Sequence, residues 1–133
     1  MRNRVPVRQM TEPRFWSEFG SDESSTVDFK ERLPRKLQDS LVAFANSGVR
    51  GTIACGVDEA RPRRIVGIAW RQEQAEKVEA AARETQPRIH PSVETIEVDG
   101  HTVALISIGP LERGWVQTSD GRPLVRAGPT NPG

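Results

Sequence analysis

The sequence predicts an α/β fold of the α+β kind, a single-domain mixed β-sheet with two main helices packed on it. Three observations carry this. At 133 residues the chain can enclose one core but hardly two. Its apolar residues switch between a period of two and a period of 3.6. The resulting order is strand, helix, strand, strand, helix and four strands, which is not the alternation of a doubly wound repeat and so implies a mixed sheet.

Residues 1–13, "MRNRVPVRQMTEP", are polar and basic without sustained periodicity and read as a mobile arm, leaving 14–133 as the domain. "RFWSEF" follows as a short helical turn. In "VDFK", Val27 and Phe29 alternate with Asp28 and Lys30, the pattern of a half-buried strand that sets the two charges on one face. Pro34 suits a first helical turn, and Leu37, Leu41, Phe44 and Ala45 recur at helical spacing before "NSG", which predicts a helix over 34–46. Asn46 then reads as a C-terminal cap.

"TIACGV" is short, apolar and rich in small residues, as in a strand covered on both faces, and it ends at Asp58. "RIVGIAW" reads as the next strand. "RQEQAEKVEAAARETQ" reads as a helix with modest apolar positions at Ala75, Val78 and Ala82, stopped by "PRIHP". "SVETIEV" and "HTVALISI" around Asp-Gly form a hairpin, and "GWVQT" and "PLVRAG" around "SDGR" suggest a second.

Nineteen basic against eighteen acidic residues leave a net charge of +1, so only local clusters can argue for nucleic acid. Clusters occur at Arg2, Arg4, Arg8 and Arg14, at Arg32, Arg35 and Lys36, and at Arg61, Arg63 and Arg64; taken singly, each also fits a solvated surface. Cys55 is the only cysteine, which excludes an intrachain disulfide and reads as a buried thiol. No segment is long and apolar enough to span a bilayer, and the arginine-rich start lacks an apolar h-region, so a cytoplasmic protein is expected. His90 and His101 lack partners at metal-ligand spacing. The glycines of "GVRGTIACG" precede a strand and no "GK(S/T)" follows, so a nucleotide-binding phosphate loop is not predicted.

"ESSTVDFKE", "LVAFANSGVRGTIACGVDE", "IVGI", "RIHPSVETIEVDGHTVALISI" and "PLVRAGPTN", in this order, resemble the Schlafen AlbA-type domain family. The resemblance implies a mixed α/β module that binds nucleic acid, RNA or DNA, mainly through the phosphate backbone. Candidate contacts are Lys30, Arg50, Arg61, Arg63, Arg64 and Arg126. Arg50 stands where the family usually has glycine, in a loop about one residue longer than the family's "AN(S/T)" turn. The family also carries an arginine at the position of Arg126, where a planar fork serves to clamp phosphate or carboxylate.

Some animal members are metal-dependent endonucleases acting on structured RNA through three carboxylates. Carried over, these are Glu23, Asp28 and Asp58, which would hold Mg or Mn, with Lys30 beside them as the fourth catalytic candidate. Each acid also has a plainer reading. Asp28 and Lys30 can be a same-face surface pair, and Asp58 can start a turn after a buried strand. In a third reading, Val5, Val7, Phe15 and Trp16 dock onto a second copy or another protein.

Overall fold

The computed structural model describes residues 7–20, 26–60, 62–111 and 114–126. The strands are β1 (Arg8–Met10), β2 (Val27–Lys30), β3 (Gly51–Cys55), β4 (Ser92–Val98) and β5 (His101–Ile108), and the helices are α1 (Glu12–Phe19), α2 (Leu37–Ala45) and α3 (Gln72–Arg83). One mixed sheet runs β1-β4-β5-β3-β2. The pairs β1–β4 and β2–β3 are parallel, and β3–β5 and β4–β5 are antiparallel.

The alternation of side chains across the sheet builds two cores. On one face Phe29, Ala54, Ile96, Val98, Val103 and Leu105 pack with Phe15 of α1. On the other, Ile53, Cys55, Ala104, Ile106 and Ile108 pack beneath Leu41 and Phe44 of α2 and Val78 and Ala82 of α3. β3 is thus covered on both sides, as its unbroken apolar run predicts. Gly51 keeps the start of that strand open, because a Cβ there would overlap the Phe44 ring.

The β4–β5 hairpin forms as expected, turning at Asp99 and Gly100, both with positive φ. α2 and α3 start and end slightly inside the expected ranges. Four expectations are corrected. Within the stretch read as an arm, Arg8–Met10 is a strand, paired Arg8↔Ile96 through Met10↔Val98. "RFWSEF" belongs to an eight-residue helix, capped by Thr11 with proline in its first turn. "RIVGIAW" makes one isolated bridge, Val57↔Ile65; Gly67 at φ 81° turns the chain where a ladder would need to continue.

The second hairpin keeps only its corner. Thr118 and Arg122 close the turn, with the Thr118 N–H donating to the Arg122 carbonyl at 3.0 Å. Beyond that corner the described residues of the arms do not pair with each other, because their backbone groups go elsewhere. Gln117 exchanges two backbone hydrogen bonds with Gln86, at 2.9 and 3.0 Å. Asn46 takes the rest: its Nδ2 donates to the Val116 and Leu124 carbonyls at 2.9 and 2.8 Å, and its Oδ1 accepts from the Val116 N–H at 2.9 Å. Asn46 is therefore a tether for the C-terminal segment, more than the cap that its position before glycine suggests.

Candidate nucleic-acid interface at the carboxyl ends of β2 and β3

Asp28 and Lys30 leave β2 on the α2 face while Phe29 enters the opposite core, as strand alternation requires. Their register opposite Ile53 and Cys55 sets Asp28 over the core and Lys30 at the strand end. β2 is an edge strand, yet Asp28 is only 3% exposed. The cover comes from the C-terminal segment. The Arg126 N–H donates to the Ala43 carbonyl at 3.2 Å, which brings the guanidinium 4.6 Å from the Phe44 ring centre and 4.0 Å from Asp28 Oδ2. Arg126 Nη2 also reaches the Val27 carbonyl at 3.4 Å. That carbonyl points away from β3, since the neighbouring Thr26 carbonyl is the one bonded to Thr52, so Arg126 closes part of the sheet's free edge.

Arg126 is buried and turned toward a carboxylate, a carbonyl and a ring, so it acts as an internal clamp. The Asp28–Lys30 pair is accordingly no solvated surface pair. Lys30 Nζ lies 3.8 Å from Asp28 Oδ2 and 3.5 Å from Glu59 Oε1. Two carboxylates thus meet one ammonium at the end of β2, and the second is Glu59, a residue the motif comparison passes over in favour of its neighbour.

Asp58 behaves as a turn starter. Its Oδ1 accepts from the Ala60 N–H at 3.0 Å and its Oδ2 from Arg64 Nη2 at 3.0 Å. The Ala60 hydrogen bond, then the Arg64 guanidinium, hold its carboxyl below the ordinary 3.8. Cys55 lies beneath the cluster, buried as expected; burial first, and Asp28 second, push its thiol up to about 12.

Glu23 and Arg61 lie outside the described residues. Among the described residues no three acidic, histidine or cysteine side chains stand where one ion could engage them together. Asp28 faces Arg126 and Lys30, while Asp58 faces Arg64. Of the expected metal set, Asp28 and Asp58 are thus each engaged by cations of their own.

The expected cations do not share one surface. Arg63 lies over the Phe29 ring at 5.5 Å and donates to the Glu59 carbonyl at 3.0 Å, on the α1 side of the sheet. Arg50 precedes Gly51, at the end of β3 opposite to Cys55 and Lys30. What gathers beside Lys30 is the loop between β2 and α2. It forms a ridge between two open grooves of about 560 and 630 Å3, one containing Lys30 and Glu59 and the other Lys77 and Arg122. Arg32, Arg35 and Lys36 on this ridge are exposed, and among the described residues none of them pairs with a carboxylate. Charge density around Pro34 was the available signal, and the motif comparison gave it no weight. Of the residues expected to dock a partner, Phe15 is fully buried and Trp16 packs edge-on against it and Phe29; Val7 is exposed and Val5 is outside the described residues.

An α2-capped sheet with a parallel β2–β3 pair, and a charged crevice outside its carboxyl ends, defines an α+β domain with a polar site at the strand ends. Residues 23–132 match the family described as Schlafen, AlbA_2, and the chain belongs to that family, which associates it with nucleic-acid-related domains. Two of the similar solved structures illustrate the likeness. One is the N-terminal domain of a RecG-related protein from Nitrosomonas europaea, named for an ATP-dependent DNA helicase, with TM-score 0.63 and 19% identity over 77% of this chain and 75% of that one. The other is the DIP2311 protein from Corynebacterium diphtheriae, with TM-score 0.61 and 18% identity over 81% of this chain but 22% of that one. At these identities the likeness is one of fold. No curated protein matches. Among the described residues no helix is long and apolar enough to cross a membrane.

Proposed function

We propose that this chain is a nucleic-acid-binding module that grips the phosphate backbone with the ridge between β2 and α2. The observation that supports it is the row Arg32, Arg35 and Lys36, three exposed cations without carboxylate partners among the described residues, standing between two grooves beside Lys30. Phosphate contacts of this kind position a strand without reading its sequence. Lys30, shared by Asp28 and Glu59, is held in place at the groove's inner end. Arg126 contributes from beneath, by holding Asp28 and the edge of β2.

A second reading, cleavage of RNA, draws support from one feature: two carboxylates, Asp28 and Glu59, flank a lysine that could stabilise charge on a phosphate. One gel separates the two. The protein is incubated with transfer RNA, single-stranded RNA and DNA, with manganese or chelator, and run under native and denaturing conditions. Binding alone gives intact strands throughout and mobility shifts that weaken with salt. Cleavage gives shortened strands with manganese that disappear with chelator and in Asp28→Asn and Glu59→Gln variants. Absence of any shift at low salt overturns the binding reading.

A further inference from the structure

We infer that a cleft at the opposite end of the sheet, between Arg50, Arg88 and His90, is a second site that binds a phosphate group. It is a concavity of about 370 Å3 whose polar lining is Arg50, Arg88, His90, Ser92 and Ser107. Among the described residues no carboxylate lines it, whereas acids line both grooves beside the ridge. Among the described residues Arg50, Arg88 and His90 make no ion pair.

The cleft is built on anchored backbone. Thr85 Oγ1 donates to the Ala82 and Pro87 carbonyls, at 2.7 and 3.0 Å, and accepts from the Ile89 N–H at 3.0 Å. Ile89 is buried and its neighbours Arg88 and His90 are exposed, so the pinned residue turns the guanidinium and the imidazole outward. Opposite them, Ser92 pairs with Ser107 in the β4–β5 ladder, which places both side chains on one face of the sheet. Arg50 Nη2 lies 3.6 Å from where a Cβ on Gly109 would stand, so its guanidinium rests on the backbone leaving β5.

Two guanidiniums, an imidazole and paired hydroxyls match the acceptor-rich, doubly charged surface of a phosphate group. Glu79 lines the neighbouring depression, which shares Arg88, Ile89 and His90 with the cleft, and is not among the residues that line the cleft itself. The site stands apart from the ridge and does not depend on the function proposed for it.

The test is an amide NMR titration of the whole chain with inorganic phosphate at constant ionic strength, with chloride as the reference anion. The expected result is saturable shifts at Ser92, Ser107 and Gly109, with affinity reduced about tenfold by Arg88→Gln and by Arg50→Gln, as for loss of a charge-assisted hydrogen bond. Both arginines are exposed, and the dispersion of the remaining amide signals verifies folding. A parallel titration compares 5′-phosphorylated with 5′-hydroxyl oligonucleotides. Stronger shifts with the 5′-phosphate assign the site to a strand terminus, and equal shifts assign it to free or internucleotide phosphate. Shifts no larger than those with chloride, or unchanged in the Arg50→Gln/Arg88→Gln double variant, overturn the site.

Discussion

The two ends of the β2–β3 pair carry charge in opposite ways. At the carboxyl end, Lys30 sits between Asp28 and Glu59, Arg64 between Asp58 and solvent, and a buried Arg126 backs Asp28. At the amino end, Arg50 enters a cleft that it shares with Arg88 and His90 and, among the described residues, no acid. Where the matched charge is buried, at Asp28 and Arg126, it fixes positions, because each group would be costly without its partner. Unmatched charge in the open is available to an anion from outside. Both kinds adjoin at the carboxyl end, where the paired cluster underlies the ridge cations that pair with no carboxylate among the described residues.

Several perturbations would break or sharpen that contrast. The largest effect concerns Cys55, which lies under the matched cluster. A thiol raised from 9.0 to about 12 should alkylate at pH 8 about a thousandfold more slowly in the native protein than in urea; a fast native reaction would mean the cluster is open. Next is Arg126→Ala, expected to destabilise the fold by about 3 kcal/mol by leaving Asp28 inadequately compensated, read as a lower urea midpoint at unchanged slope. The double variant Asp28→Asn/Arg126→Met should recover part of that loss, and a purely additive result would deny the coupling. Asn46→Ala removes three hydrogen bonds to the C-terminal segment and should cost about 2 kcal/mol, with faster amide exchange at Val116.

The smallest effect is at Asp58. Its folded carboxyl titrates below the ordinary 3.8, so its contribution is fully present above that value and is lost as pH falls through the depressed one. The stability gap between the wild type and Asp58→Ala should therefore be full at neutral pH and close in acid. A gap independent of pH would place the role of Asp58 in its shape alone.

Elements whose stability is local were legible in the sequence. The β4–β5 hairpin needs only alternation and Asp99-Gly100, and α3 needs only its period and the prolines that stop it. β1 was not legible, because "RQM" has no pattern of its own and is extended only by pairing with β4, far along the chain. The site divides similarly. Alternation places Asp28 and Lys30 on one face, but the burial of Asp28 depends on Arg126, which reaches Val27 from 99 residues away. The choice between Asp58 and Glu59 turns on which carboxylate the tight turn keeps for its own backbone, and spacing carries no information on that. Five motifs in family order located the strands of the site and gave no weight to the ridge, whose signal was charge density alone.

The most direct test of the ridge as the phosphate grip is the salt dependence of binding to a labelled single-stranded oligonucleotide, compared between the wild type and Arg32→Ala/Arg35→Ala/Lys36→Ala. Each phosphate contact on a single strand contributes about 0.7 to the slope of log K against log salt, so removing three cations should weaken binding at every sequence and flatten the slope by about two. An unchanged slope with unchanged affinity would contradict the account.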